Sequence, residues 1–322
     1  MNTNRLILVC CLFVGLLGFY ACEEEPEVFS PIDEFNMFET LLQDENYSLL
    51  AQALTKAGLA NRLEGNSTYT IFAPDNDVMN TFLDGQDLDE VDGADLSRIL
   101  SYHILSGTWL ADDLAGNGYL TTLSETGPFE ERLSLYFEKD NNTLLLNNQY
   151  QAELSSDTLT NGVIHSINKT METPVLADFI AYDSRLSFLN TTLLDYFNGD
   201  QLYLDFQTVS SAITLFAPVN EAFPVFFDTL DVSTWMPDSL GDPRTVLNFH
   251  ILQDTALYLD NIADSTNLET SVLLKKLLFL RDSVTNELLI QDFHGDQARI
   301  VEGDIQARNG RLHIIDRVLN VY

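Results

Sequence analysis

Basic residues are scarce in this chain: 16 lysines and arginines stand against 49 aspartates and glutamates, a formal net charge of -33. A surface of that sign repels phosphate backbones, so nucleic acid is excluded as a partner. Cysteine is nearly absent. Of three, Cys10 and Cys11 lie in the apolar run 6–17, so a chain cut after Ala21 would keep only Cys22 and form no internal disulfide. That run is too short to span a bilayer comfortably and has the size of a signal-peptide core. Catalytic signatures are missing too, with no His-x-x-x-His, Glu-His pair or Gly-x-Ser-x-Gly elbow. The reading is therefore non-enzymatic, with no cofactor.

What the sequence does have is repetition. Thr70-Ile71-Phe72-Ala73-Pro74-Asp75-Asn76-Asp77 returns as Thr214-Leu215-Phe216-Ala217-Pro218-Val219-Asn220-Glu221. Tyr102-His103-Ile104-Leu105 returns as Phe249-His250-Ile251-Leu252, and the phrase 161–168 (Asn-Gly-Val-Ile-His-Ser-Ile-Asn) returns at 309–316. Spacing is kept along with order: 31 and 34 residues separate Phe from the first His, then 62 and 63 lead to the second. Chance does not preserve both, so the chain is a tandem duplication with a period of about 145 residues, a usual domain size. A hydrophobic fraction of 45% gives each copy material for a full core.

Within one copy, Leu50, Ala53, Leu54 and Ala57 fall at helical spacing and Gly58 can close the helix. Residues 67–72 read as a strand stopped by Pro74, with Asn76 as the cap of a following helix. The stripe Leu96, Ile99, Leu100, His103 and Ile104 predicts a helix over 96–105 with His103 on its core side. Residues 133–136, 143–146 and 163–167 read as short strands, and Leu186, Leu189, Leu193, Tyr196 and Phe197 give the opening helix of the second copy.

These residues resemble the two signature blocks and the Tyr-His motif of the fasciclin domain, twice over and in order, across about 33 to 322. The resemblance implies an α+β fold of two tandem modules, each a β-sandwich wedge with packed helices. It also implies secreted or surface-anchored proteins used for adhesion. The leader ending Phe19-Tyr20-Ala21-Cys22 resembles a bacterial lipoprotein signal, and Glu23-Glu24-Glu25-Pro26-Glu27 resembles the acidic export signal of Bacteroidetes surface lipoproteins. The expected organisation is a signal peptide at 1–21, lipidation at Cys22, an acidic linker at 22–32, and fasciclin-like domains at 33–174 and 175–322. Such a protein would sit on the outer membrane by its lipid, facing outward. Its partners would be extracellular or envelope proteins or glycans, and the alternative is an accessory glycan-binding or scaffold lipoprotein beside an uptake system.

Six repeated positions invite a functional reading: Tyr102, His103, His165, Phe249, His250 and His313. In animal members of the family the Tyr-His pair is linked to integrin binding. Phe249 departs from it in the second copy, and packing explains both positions equally well. Zinc needs at least three protein ligands, which the spacing does not supply. The other reading gives each histidine a half-buried place tying helix to strand. The acids Asp84, Asp87, Asp89, Glu90, Asp92 and Asp95 read as a solvated loop because they lack calcium-loop spacing. Trp109 and Trp235 are the candidate stacking platforms for a sugar.

Overall fold

The computed structural model describes residues 35–321 apart from 126–130, 141–142, 156–157, 210–211 and 225–242. The expected leader, Cys22, the acidic linker at 22–32 and Trp235 therefore lie outside the described residues.

The first copy opens with the helix Met37–Gln43, whose Asn36 and Glu39 form a reciprocal capping box. The helix Ser48–Lys56 buries Leu50, Ala51, Ala53 and Leu54 on one face. Gly58, at φ +73, turns the chain out of it in the left-handed conformation the sequence predicts. Strand β1 (Tyr69–Pro74) follows, then the helices Asn76–Leu83 and Gly93–Tyr102. Strands β2 (Ile104–Ser106), β3 (Asn117–Glu125), β4 (Arg132–Asp140), β5 (Thr143–Leu146), β6 (Tyr150–Glu153), β7 (Thr158–Leu159) and β8 (Gly162–Ile167) complete it. The sheet order is β1-β2-β3-β4-β5-β6-β8-β7. A parallel pairing of β1 with β8 closes it on itself, so it wraps a core like a flattened barrel.

The second copy repeats the plan with the helices Leu176–Tyr182, Ser187–Tyr196 and Gln201–Gln207 before β9 (Ile213–Pro218). The helix Pro243–Phe249 precedes β10 (Ile251–Gln253), β11 (Thr266–Glu269), β12 (Lys276–Arg281), β13 (Leu288–Gln291), β14 (Gln297–Ala307) and β15 (Gly310–Ile315). Here the order is β10-β9-β15-β14-β13-β12-β11, and β9 again runs parallel to β15.

Three local expectations are corrected. Asn76 is not the helix cap: Asp75 takes the Val78 N–H at 2.9 Å, while Asn76 accepts from Leu49 N and donates to Glu45 O. The Asn of the repeated phrase thus clamps the preceding helix to the strand end, as Asn220 does with Phe188 N and Ser184 O. The helix expected over 96–105 ends at Tyr102, because Ile104 and Leu105 pair with β1. The acidic loop is partly structural: Asp87 and Asp92 cap the next two helical turns.

Apolar burial divides into three clusters, two in the first copy and one in the second. The second copy's cluster takes in Tyr136 of β4 and packs against Tyr119 of β3. Residues Asp33–Tyr322 form one compact unit. Tyr119 donates to the buried Asp183 carboxylate at 3.1 Å, and Arg185 joins Asp183 to Glu302 at 2.6 and 2.7 Å. Gln306 N donates to Ser134 Oγ at 2.9 Å, Arg308 N to Pro174 O at 2.9 Å, and Tyr258 OH to the Glu131 carboxylate. Among the described residues, no helix is long and apolar enough to cross a membrane.

Candidate functional site

The parallel pair at the centre of each copy depends on an Asn-Gly turn. Gly162 sits at φ +140, where a Cβ would lie 1.8 Å from Tyr69 O; Gly310 sits at φ +159, with Ile213 O at 2.0 Å. Only glycine lets the two backbones approach. The Asn before each glycine is spent on the same fit: Asn161 accepts from Met37 N at 2.7 Å and donates to Leu63 O at 2.6 Å. Asn309 does likewise with Leu176 N and Phe206 O, both at 2.8 Å.

The four repeated histidines fall into two braces. His103 ends its helix and pairs its Nδ1 with Ile99 O at 2.9 Å, while its Nε2 accepts from Met171 N at 2.9 Å. His250 does the same with Val246 O at 2.7 Å and Leu319 N at 2.9 Å. His165 lies in β8 and pairs Nε2 with Trp109 O at 2.8 Å, while Nδ1 accepts from Ser155 N at 2.9 Å. His313 repeats it with Leu257 O and Asp304 N, both at 3.0 Å. Each ring therefore needs one protonated and one bare nitrogen, which is the neutral imidazole.

Burial enforces that form by penalising the charge: His103 and His250 fall to about 4 and His313 to about 3, and His165 is also lowered. The histidines are fully buried, not half-buried, and the partners of His103 and His250 beyond their own helices are loops, not strands. Phe72 and Phe216 cover His165 and His313 with ring centroids 5.6 and 5.3 Å apart.

Tyr102 is buried as well. Its hydroxyl donates to Ser134 O at 2.8 Å and accepts from Asn147 Nδ2 at 3.0 Å. Phe249, its counterpart, is buried without such a group. None of the six repeated side chains reaches the surface, and each histidine has both nitrogens occupied. The arrangement can hold loops in place; an incoming substrate has no access to it.

Trp109 is half-buried, with its Nε1 given to Ser106 O at 3.0 Å. The acids gather no ion site: among the described residues no group of three His, Cys, Asp or Glu is placed to hold a metal. An open groove of about 660 Å³ beside the helix Gly93–Tyr102 is lined by Arg62, Asp95, Arg98, Ser101 and Glu125 among others, with no histidine.

Two clusters escape the sequence reading. One is the Tyr119, Asp183, Arg185 and Glu302 set at the junction. The other surrounds Arg311, which stands where the first copy has Val163. Arg311 is fully buried, gives Nε to Gln306 Oε1 at 3.0 Å and lays its guanidinium 3.1 Å from the centre of the Tyr258 ring. The mismatch of Arg against Val inside an otherwise repeated phrase is the signal that could have found it.

Comparison with known proteins agrees with this architecture. A family model for the fasciclin domain matches residues 45–174 and again 189–321. The chain belongs to the fasciclin-domain family. Transforming growth factor-beta-induced protein ig-h3 of Oryctolagus cuniculus is 26% identical over 269 residues, which is 81% of this chain and 36% of that protein. Human periostin is 26% identical over 153 residues, 46% of this chain and 18% of that protein. An uncharacterised protein of Synechocystis is 28% identical over 137 residues, 42% of this chain and 96% of its own length. This chain thus spans about a third of the rabbit protein and under a fifth of periostin. A solved FAS1 domain pair from the insect cell adhesion molecule fasciclin I aligns with 88% of this chain and 95% of its own at a TM-score of 0.48 and 16% identity.

Proposed function

We propose that this protein is a non-catalytic adhesion or interaction module, tethered to the outer membrane by lipid on Cys22 and turned outward through its acidic linker. The observation that carries this reading is the burial of all six repeated side chains with their polar atoms paired. The groups that would serve catalysis serve the fold. What is left for function is the outer surface of a two-module unit, and membership of the fasciclin-domain family supports using such a surface to hold a partner. Its partners would be matrix or envelope proteins or glycans. Two weak contacts presented by one chain reinforce each other through effective concentration, which gives the duplication a use.

The test is binding of the purified mature chain to matrix-protein, envelope and glycan preparations, with mass measurement of its N-terminal peptide. The reading expects retention on at least one surface and an acylated Cys22. Retention on none sinks the adhesive role; an unmodified Cys22 sinks the tether.

A further inference from the structure

The connection between β11 and β12 holds two leucines out in water. Lys275 N donates to Val272 O at 3.1 Å and Thr270 N to Lys275 O at 3.0 Å, closing a turn over Leu273 and Leu274. Leu274 takes φ +64, a conformation that ordinarily selects glycine or asparagine. The two side chains are 86% and 88% exposed. A strained turn that displays apolar groups points to use of those groups. The neighbouring turn between β13 and β14 adds Phe293, 57% exposed, with Lys275 Nζ 3.2 Å from its ring centre.

Charge at this end of the second module differs from the rest of the chain. Two of its five lysines, Lys275 and Lys276, stand here. The nearby acids are answered: Glu269 by Lys276 at 3.2 Å and Asp296 by Arg317 at 3.3 Å. Asp292 accepts from the backbone of His294, Asp296 and Asn320. The tip is close to charge balance on a chain of net charge -33.

That contrast selects the occupant. A second copy would bring a second excess of 33 negative charges against the first. A bilayer interface brings no such excess where its lipids are largely zwitterionic. It also accepts a convex tip, with lysines at headgroup level and apolar side chains below. We propose that Leu273, Leu274 and Phe293 form a membrane-contacting tip that gives the protein a second hold on the bilayer and fixes how it stands there. The proposal rests on the tethered reading for nearness to a membrane, yet its test does without the tether.

The chain carrying Cys10→Ser, Cys11→Ser and Cys22→Ala cannot be acylated or labelled at those positions. An environment-sensitive fluorophore is placed on Leu274→Cys, or as control on Val284→Cys, which is 90% exposed in the turn between β12 and β13. The probe is a vesicle of phosphatidylcholine with a minor share of phosphatidylglycerol. Expected are a blue shift at 274, none at 284, and about tenfold weaker partitioning when Leu273→Asp is added. No shift at 274, or equal shifts at both positions, overturns the proposal. So does a shift on raising protein concentration without vesicles, which would make the occupant a second copy. Because this chain has no lipid, either result leaves the Cys22 reading standing or falling on its own mass measurement.

Discussion

The first module closes its sheet and the second leaves it open. In the first, β2 reaches β3 through Leu105 and Thr122, so strands run unbroken around the core. In the second, among the described residues, β10 and β11 share no ladder, and Ser271 crosses that gap to Ile251 O with its N–H at 2.9 Å and its hydroxyl at 3.3 Å. Yet the parallel pair, its Asn-Gly turn and both histidine braces coincide in the two. The repeated phrases therefore specify a joint, and the rest of each sheet is free to close differently around it.

A second contrast lies in the capping acids. Asp44 and Asp183 each cap a short helical turn by taking an N–H two residues on. Asp44 keeps contact with water, whereas Asp183 is buried under Tyr119 of the other module. Burial of that carboxylate demands a cation, and Arg185 supplies it where the first module has Asn46.

The largest effect is expected at the glycines of the two Asn-Gly turns. Gly162→Ala and Gly310→Ala should each cost more than about 4 kcal/mol or prevent folding of their module, since both place a methyl group inside van der Waals contact of a backbone carbonyl. A large effect in one copy alone, measured by denaturant unfolding, would show that the two joints are not equivalent. Next comes Arg185→Ala, which strands a buried carboxylate and should cost about 3–5 kcal/mol. Its counterpart Asn46→Ala, at an exposed cap, should change stability by under about 0.5 kcal/mol.

Histidine protonation gives the third test. Each imidazole has a folded pKa below the unfolded 6.5, so the unfolded chain binds protons more readily. The stability owed to neutral burial is complete above about pH 6.5 and is lost as pH falls toward 4. For His103 and for His250 that loss is about 3 kcal/mol. Asp178 and Asp304, raised by burial, act in the opposite sense. The contribution of one histidine is therefore read as a difference: His250→Leu should be less stable at pH 7 and should lose about one proton from the acid slope. An unchanged slope would mean that His250 is not held neutral.

A smaller effect than the histidine term comes from the Tyr102 and Phe249 difference between the two copies. Tyr102→Phe leaves Ser134 O and Asn147 Nδ2 without their hydroxyl partner and should cost about 1–2 kcal/mol. Phe249→Tyr puts a hydroxyl into a pocket built for a hydrocarbon ring and should also destabilise. Stabilisation by Phe249→Tyr would reveal an unrecognised partner in the second module.

Much of the fold was legible because the motifs describe backbone requirements. Gly58, the Asn-Gly turns and the short strands carry their reasons in a few adjacent residues. Asn76 reads as a cap because it stands next to a helix start, while its partners lie 27 and 31 residues earlier in the chain. The junction was illegible for the same cause at longer range: Tyr119 and Asp183 are 64 residues apart, and Arg185 and Glu302 are 117 apart. The stripe puts His103 alone on the core side of its helix, and the full burial of His103 and His250 follows from loops that return after β8 and β15. Spacing alone does not place such loops.

The two modules are braced inside by their histidines and joined across the junction by the Tyr119, Asp183, Arg185 and Glu302 cluster. Calorimetric unfolding of the whole chain tests this most directly. One cooperative transition is predicted for the native protein, splitting into two for Arg185→Ala. Two separate transitions in the native protein, unchanged by Arg185→Ala, would contradict it.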